Sequence, residues 1–127
     1  MKLSLPQLKK KVQRAVNKYV RERDKGKPCI SCGRKVETGD CGHYVAQGSS
    51  GYLRYNLNNC NLQCRSCNRY KHGNLIEYRH GLIKKIGERK VHTLEVYRHD
   101  VKKWTRSELE EILDQIKLER KTLQLKK

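Results

Sequence analysis

Apolar residues recur at three- and four-residue steps near both ends of the chain and lose that rhythm in the middle. Leu5, Leu8, Val12, Ala15, Val16 and Tyr19 share one face of a predicted helix. Ser4-Leu-Pro-Gln7 has the form of a capping box with Pro6 in the first turn, and Gly26 and Pro28 end the helix. Helical spacing resumes from Asn74 to Ile86 through Leu75, Ile76, Tyr78, Leu82, Ile83 and Ile86, and Val91, Leu94 and Val96 predict a further short helix. Thr105-Arg-Ser-Glu108 is a second capping box, followed by Leu109, Ile112, Leu113, Ile116 and Leu123 on one face. Trp104, just before that cap, is placed to act as a hydrophobic staple, and Lys121 to Lys127 reads as a frayed tail.

Between Cys29 and Leu57 turn residues dominate. Gly42-His-Tyr-Val-Ala46 and Tyr52-Leu-Arg-Tyr-Asn56 are short strand candidates around the Gly48–Gly51 turn, which suggests a hairpin. The expected class is α+β in a single domain, 1–127: a basic N-terminal helix in 1–28, a core in 29–74 and a helical extension in 75–127. With 35% apolar residues, no Phe and one Trp, the chain buries a small core, and small cores usually need a staple.

The staple is written as Cys29-x-x-Cys32 and Cys64-x-x-Cys67. The N-terminus has no apolar signal region and no run reaches transmembrane length, which points to a reducing cytosol, where such pairs favour metal over disulfide. Four thiolates from two close pairs make a closed tetrahedral site, the structural arrangement for zinc, and its formation would contribute directly to folding. Cys41 and Cys60 belong to neither pair. They read as small buried residues or, less simply, as part of a second metal site or a disulfide.

Thirty Lys+Arg against thirteen Asp+Glu give a formal charge of +17. A charge of that size opposes compactness and calls for a polyanionic partner, DNA or RNA first. An anionic membrane is disfavoured, because no helix pairs a basic face with a broad aromatic and aliphatic one. The basic face of the first helix (Lys9, Lys10, Lys11, Arg14, Lys18, Arg21) is either a solvated surface or a phosphate-tracking one.

The candidate chemistry centres on His43. Asp40 stands three residues before it, Asn59 lies on the return limb, and Asn68 follows the last paired cysteine. Phosphodiester hydrolysis needs a base to activate water and a cation to neutralise charge on the phosphate. A neutral imidazole suits the first task; an Asp carboxylate and an Asn amide oxygen suit Mg²⁺ for the second. Alone, His43 could equally be a satisfied structural residue. His72 is a metal or phosphate ligand or a surface residue, and His80, His92 and His99 read as surface. Arg54, Arg65, Arg69 and Lys71 flank the proposed site as DNA-backbone clamps. Tyr44, Tyr52, Tyr55 and Tyr70 between them are packing residues before they are base-stacking ones.

Cys-x-x-Cys, His, Asn and Cys-x-x-Cys-Asn in this order resemble the HNH branch of the His-Me finger nucleases, and most closely the NinG (Rap) recombination proteins of lambdoid phages. Arg21-Glu-Arg-Asp24, Pro28-Cys-Ile-Ser-Cys-Gly33, Asp40-Cys-Gly-His-Tyr44, Leu53-Arg-Tyr-Asn56, Gly73-Asn74, Tyr78-Arg79, Ile86-Gly87 and Trp104-Thr105 carry the likeness over about residues 13 to 120. The resemblance implies a ββα-metal, treble-clef-like core: a hairpin carrying His43, then a helix from near Cys67 carrying Asn68. It implies His43 as general base, Asn59 (Asn61 as fallback) holding that histidine, and Asn68 as ligand of Mg²⁺ or Mn²⁺. Many enzymes of the class have Asp directly before the histidine, where this chain has Gly42; the NinG-like pattern has Asp40 instead, three residues away and so on the other face of a strand. The implied activity is a structure-selective endonuclease for branched DNA such as Holliday junctions and D-loops, in the bacterial host cytosol. Symmetric cutting implies a homodimer, for which the apolar faces of 5–24 and 105–124 are candidates. A non-catalytic zinc finger binding DNA or RNA is the alternative, and a redox or zinc-storage role is disfavoured by the charge. Family members are often longer, with a further zinc-binding N-terminal region.

Overall fold

A computed structural model describes residues 2–126. Helix α1 (Leu5–Arg23) is followed by strands β1 (Asp40–His43) and β2 (Cys60–Gln63), a wide π-helical turn at Ser66–Tyr70, then α2 (Leu75–Ile86), α3 (Glu88–Val96) and α4 (Arg106–Leu125). Both capping boxes form. Ser4 N donates to Gln7 Oε1 (2.8 Å) and Gln7 N to Ser4 Oγ (3.3 Å); Thr105 N donates to Glu108 Oε1 (3.0 Å) and Glu108 N to Thr105 Oγ1 (3.2 Å). The last helix runs on to Leu125, so the expected fraying from Lys121 is not observed; Lys127 lies outside the described residues.

The hairpin is real but its return strand is not Tyr52–Asn56. That segment is turn, and β2 is Cys60–Gln63, antiparallel to β1 with Asp40 opposite Gln63 and His43 opposite Cys60. The alternation that suggested a strand has another cause. Leu53 (1% exposed) plugs a cluster with Val45, Tyr78, Leu82, Val91 and Leu94, whereas Tyr55 (5% exposed) plugs a different one with α1 and α4. The actual strand was hidden because polar Asn61 and Gln63 are buried in it.

Two small cores flank the sheet. On one side Leu8, Val12, Val16, Tyr19 and Val20 of α1 pack with Leu109 and Ile116 of α4, Tyr55 and Cys60. Each such side chain contributes about 1.5–3 kcal/mol by leaving water. Trp104 stacks its edge on Tyr55 at 5.4 Å between centroids and donates from Nε1 to Gly51 O (2.9 Å). The two helix faces considered for a dimer are therefore spent on each other. On the other side Tyr78 of α2 braces β1, its hydroxyl donating to Gly42 O (2.8 Å).

Asp24, 1% exposed, knots these layers together. Its carboxylate accepts from Arg23 Nε (2.8 Å), Lys85 Nζ (2.8 Å) and Leu62 N (3.0 Å), joining α1, α2 and β2. Burial pushes its pKa up, but the bonds from Arg23 and Lys85 outweigh that and hold it well below the usual carboxylate range. Burial brings Lys85 down to about 8. No described helix is long and apolar enough to cross a membrane.

Candidate functional site

Cys29 and Cys32 sit on a tight knuckle after α1. Its turn closes through Cys29 N to Arg34 O (2.8 Å) and Gly33 N to Cys29 O (3.0 Å), with Gly33 at φ +75°, a left-handed conformation that favours glycine. Ile30 N donates to Leu62 O (3.0 Å), which fastens the knuckle to β2. Cys64 follows β2 and Cys67 lies on the π-helical turn. The four Sγ atoms fall within 4.8 Å of one another, with Cys32 and Cys64 sulfurs 3.8 Å apart. Backbone N–H groups aim at the sulfurs: Cys64 N at Cys29 Sγ (3.3 Å) and Cys67 N at Cys64 Sγ (3.4 Å). Burial and the neighbouring thiols push Cys67 up to about 12, whereas the surrounding N–H donors outweigh burial at Cys29 and bring it down to about 7. This donor set fits a closed tetrahedral metal, so the cluster can hold a metal such as zinc. Helix α2 presses directly on the knuckle: a Cβ at Gly81 would lie 1.9 Å from Ile30 O.

His43 ends β1, and a loop then arches back to β2. Asn59 holds that loop at its neck. Fully buried, its amide accepts from Val45 N (2.8 Å) and donates to Val45 O (3.0 Å) and Leu53 O (3.2 Å). Next to Leu53, Arg54 presents its carbonyl to His43 Nε2 at 3.0 Å. A carbonyl can only accept, so this contact assigns the proton to Nε2 and leaves Nδ1 as the free lone pair. Burial, with help from the Arg54 charge, holds the His43 pKa below its ordinary value of 6.5 and keeps the ring neutral. Asn61, the fallback for Asn59, is engaged elsewhere: it donates to Tyr78 Oη (3.1 Å) and accepts from Lys85 (2.6 Å).

His43, Asn68 and His72 line one open cleft, with Cys41, Tyr44 and Gly73 around them. Asp40 faces an adjacent hollow with Arg21, Lys25 and Arg65, reached through Asn68. Asn68 Nδ2 donates to Asp40 Oδ2 (2.9 Å), leaving its own Oδ1 free, and Arg69 grips the same carboxylate through Nε (2.9 Å) and a terminal nitrogen (3.1 Å). Burial pushes Asp40 up, but these bonds keep its pKa below the ordinary value. Among the described residues, none that lines the His43 cleft carries a carboxylate. The space beside the position before His43 is filled by Gln63: a Cβ at Gly42 would lie 2.0 Å from Gln63 Oε1, so any side chain there would displace that buried amide.

His72 does not reach the cleft along a helix, because the helical turn stops at Tyr70. It is delivered by a run of left-handed residues, His72 (φ +49°), Gly73 (+86°) and Asn74 (+45°). That run is gripped by Gln63 Nε2 and Ser31 Oγ, which donate to Gly73 O (2.6 and 3.3 Å), and by Asn74 Nδ2 on Cys67 Sγ (3.5 Å). Such strain persists where surrounding contacts over-determine it, often at functional sites. Arg65, Arg69 and Lys71 are exposed around the helical turn, whereas Arg54 is half-buried, its Nε donating to Gln13 Oε1 (3.3 Å). His80, His92 and His99 are exposed. Gln13, which holds Arg54, is not singled out by the sequence, where it reads as an ordinary helix position; Tyr78 appears there as an apolar helix position and as part of the family likeness, not as a brace of the strand before His43.

A family model described as "Bacteriophage Lambda NinG protein" matches residues 3–127. The chain is 42% identical over 104 residues to "Protein ninG" of Escherichia phage lambda, covering 81% of this chain and 50% of that protein. It is 41% identical over 104 residues to "Protein ninG" of Salmonella phage P22, covering 81% and 51%. The chain thus spans about half the length of the curated relatives it matches. No solved structure matches.

Proposed function

The chain belongs to the NinG family of lambdoid phages, and we propose that it is a metal-dependent endonuclease of the HNH, His-Me finger type that acts on branched DNA. One observation carries this reading: a neutral imidazole with its Nε2 proton committed to a backbone carbonyl shares a cleft with a free amide oxygen, on a chain of charge +17. His43 Nδ1 takes a proton from water as the water oxygen bonds to phosphorus; the P–O ester bond breaks and the leaving oxygen takes a proton from solvent to depart as the free hydroxyl end. Asn68 Oδ1 and His72 are the groups that would hold Mg²⁺ or Mn²⁺, which supplies charge neutralisation at the phosphate when bound. Asp40 orients Asn68 through its accepted hydrogen bond, a role that replaces the carboxylate ligand Gly42 cannot carry. Arg65, Arg69 and Lys71 give the phosphate backbone a cationic rim. The order β1, β2 and the Ser66–Tyr70 turn is compatible with a ββα-metal core around a structural zinc on Cys29, Cys32, Cys64 and Cys67. A C2 dimer, which symmetric junction cutting requires, must use a surface other than the apolar faces of α1 and α4.

The test is cleavage of a synthetic four-way junction in Mg²⁺ or Mn²⁺, with binding measured in parallel. His43→Ala and Asn68→Ala should bind the junction and fail to cut it. Equal cutting by Asn68→Ala would remove Asn68 as ligand. The lack of a carboxylate in the cleft favours a second reading, a non-catalytic zinc finger that binds nucleic acid; tight binding with no metal-dependent cutting by wild type would establish it.

A further inference from the structure

Cys41 and Cys60, outside the four-cysteine cluster, are not scattered in the core. Residues two apart on a strand share a face, so Cys41 and His43 project together from β1, and the register sets Cys60 directly opposite His43. The two sulfurs and a ring nitrogen of His43 lie within 4.8 Å of one another. Cys60 is fully buried, Cys41 and His43 are half-buried, and the latter two open onto the cleft.

We propose that Cys41, His43 and Cys60 form a second metal site, selective for a thiophilic divalent ion such as Zn²⁺, and that filling it removes His43 from the reaction. The second half rests on the reading of His43 as base; the first does not. Two thiolates and an imidazole are a borderline-soft donor set, suited to Zn²⁺ and unsuited to Mg²⁺ or Ca²⁺. The bond from His43 Nε2–H to Arg54 O is the outer contact that metal-ligating histidines make, fixing the tautomer so that the other nitrogen presents its lone pair. The Cys41 thiol and burial keep Cys60 protonated in the absence of an ion, and the Arg23 guanidinium, which donates to Cys60 O (2.8 Å), only partly offsets this, so the incoming dication itself must displace the protons. Binding displaces one proton from each thiol, and the charge of the dication is balanced by the two thiolates. Three protein ligands leave the fourth position to water, unlike the saturated four-cysteine site. Since Nδ1 is the lone pair that both the ion and the hydrolytic water need, the ion and catalysis exclude each other.

The protein with its four-cysteine site filled is titrated with Co²⁺ under reducing conditions, following thiolate-to-metal charge-transfer absorbance and bound metal. Wild type should take up a further equivalent, and Cys41→Ala and His43→Ala should lose that equivalent while keeping the helical circular dichroism of wild type. No further equivalent in wild type, or an undiminished one in Cys41→Ala, would overturn the site; so would free-thiol counting that shows Cys41 and Cys60 oxidised to each other under these conditions. In parallel, junction cutting in Mg²⁺ is measured with and without added Zn²⁺, each protein compared with itself. Zinc should abolish cutting by wild type and spare Cys41→Ala. A second bound equivalent with no loss of cutting would keep the site and overturn His43 as the base. If wild type does not cut DNA at all, the metal count alone decides the site.

Discussion

Replacing Asn59 by alanine deletes an amide that is wholly buried and makes three hydrogen bonds, all to backbone, at the neck of the loop between the strands. The variant leaves Val45 N–H and Val45 O without a partner, whereas Leu53 O loses one of two bonds and keeps that from Asn56 N (3.1 Å). An orphaned buried polar group costs about 1–3 kcal/mol. The two orphans share one site, so their losses are not additive, and the polar void can admit a water that recovers part of them. A net loss of about 2–4 kcal/mol is expected, a large part of the roughly 5–15 kcal/mol that holds a domain folded. Urea unfolding followed by circular dichroism measures it. A second consequence is chemical. Leu53 O anchors the segment whose next carbonyl accepts the His43 Nε2 proton, so the variant should also lose the preference for the Nε2–H tautomer, visible in imidazole nitrogen chemical shifts. On the proposed role of His43, Asn59 would thus act as a positioning residue through Arg54. A stability within about 0.5 kcal/mol of wild type, the range of ordinary surface substitutions, or an unchanged tautomer in the folded variant, would refute this account.

Three further outcomes follow from the same geometry. Burial disfavours the His43 cation, so the proposed DNA cutting should be level through neutral pH and decline as pH falls below 6.5 through the depressed folded pKa. The unfolded chain binds that proton more readily, so stability should decline in the same direction; a rise in activity on acidification would contradict the assignment. Strong chelation should abolish the cooperative thermal transition, because the knuckle on Cys29 and Cys32 also carries the Ile30–Leu62 pairing; a retained transition in metal-free protein would show that the two cores stand alone. Gly81→Ala should destabilise the protein and weaken metal retention, although Ala is favoured over Gly in a helix interior by about 1 kcal/mol. The clash of the new Cβ with Ile30 O decides the sign, and a raised melting temperature would show that α2 can shift off the knuckle.

Where local chemistry is self-contained, the sequence was readable. Both capping boxes, the paired cysteines and the apolar stripes of α1 and α4 depend on neighbours within a few positions, and they appear where their spacing puts them; the stripe of α2 holds for Tyr78 and Leu82, while Leu75 and Ile76 face solvent. The errors come from residues whose partners are distant. Leu53 and Tyr55 alternate because two cores lie on opposite sides of them, which imitates strand periodicity. Asn61 and Gln63 are buried because Tyr78, Lys85, Ser31 and Gly73 meet them, and none of these is a sequence neighbour. The meeting of Asp40 with Asn68 and Arg69 spans the hairpin and the cysteine cluster, and no spacing rule specifies it. Cys41 and Cys60 could not be related to His43 until the register was known.

The left-handed run at His72–Asn74 connects sites that otherwise look separate. Its last residue leans on Cys67 Sγ, a sulfur of the four-cysteine cluster, while its first residue faces the cleft. The strained backbone is thus shared between the two, and an ion that tightens Cys67 also limits where His72 can be. Thermodynamic reciprocity then applies: a ligand that engages His72 should slow escape of the clustered metal, in proportion to the help that metal gives the ligand. Zinc retention would become a gauge of what occupies the cleft, readable with a chromophoric chelator and requiring no cleavage at all.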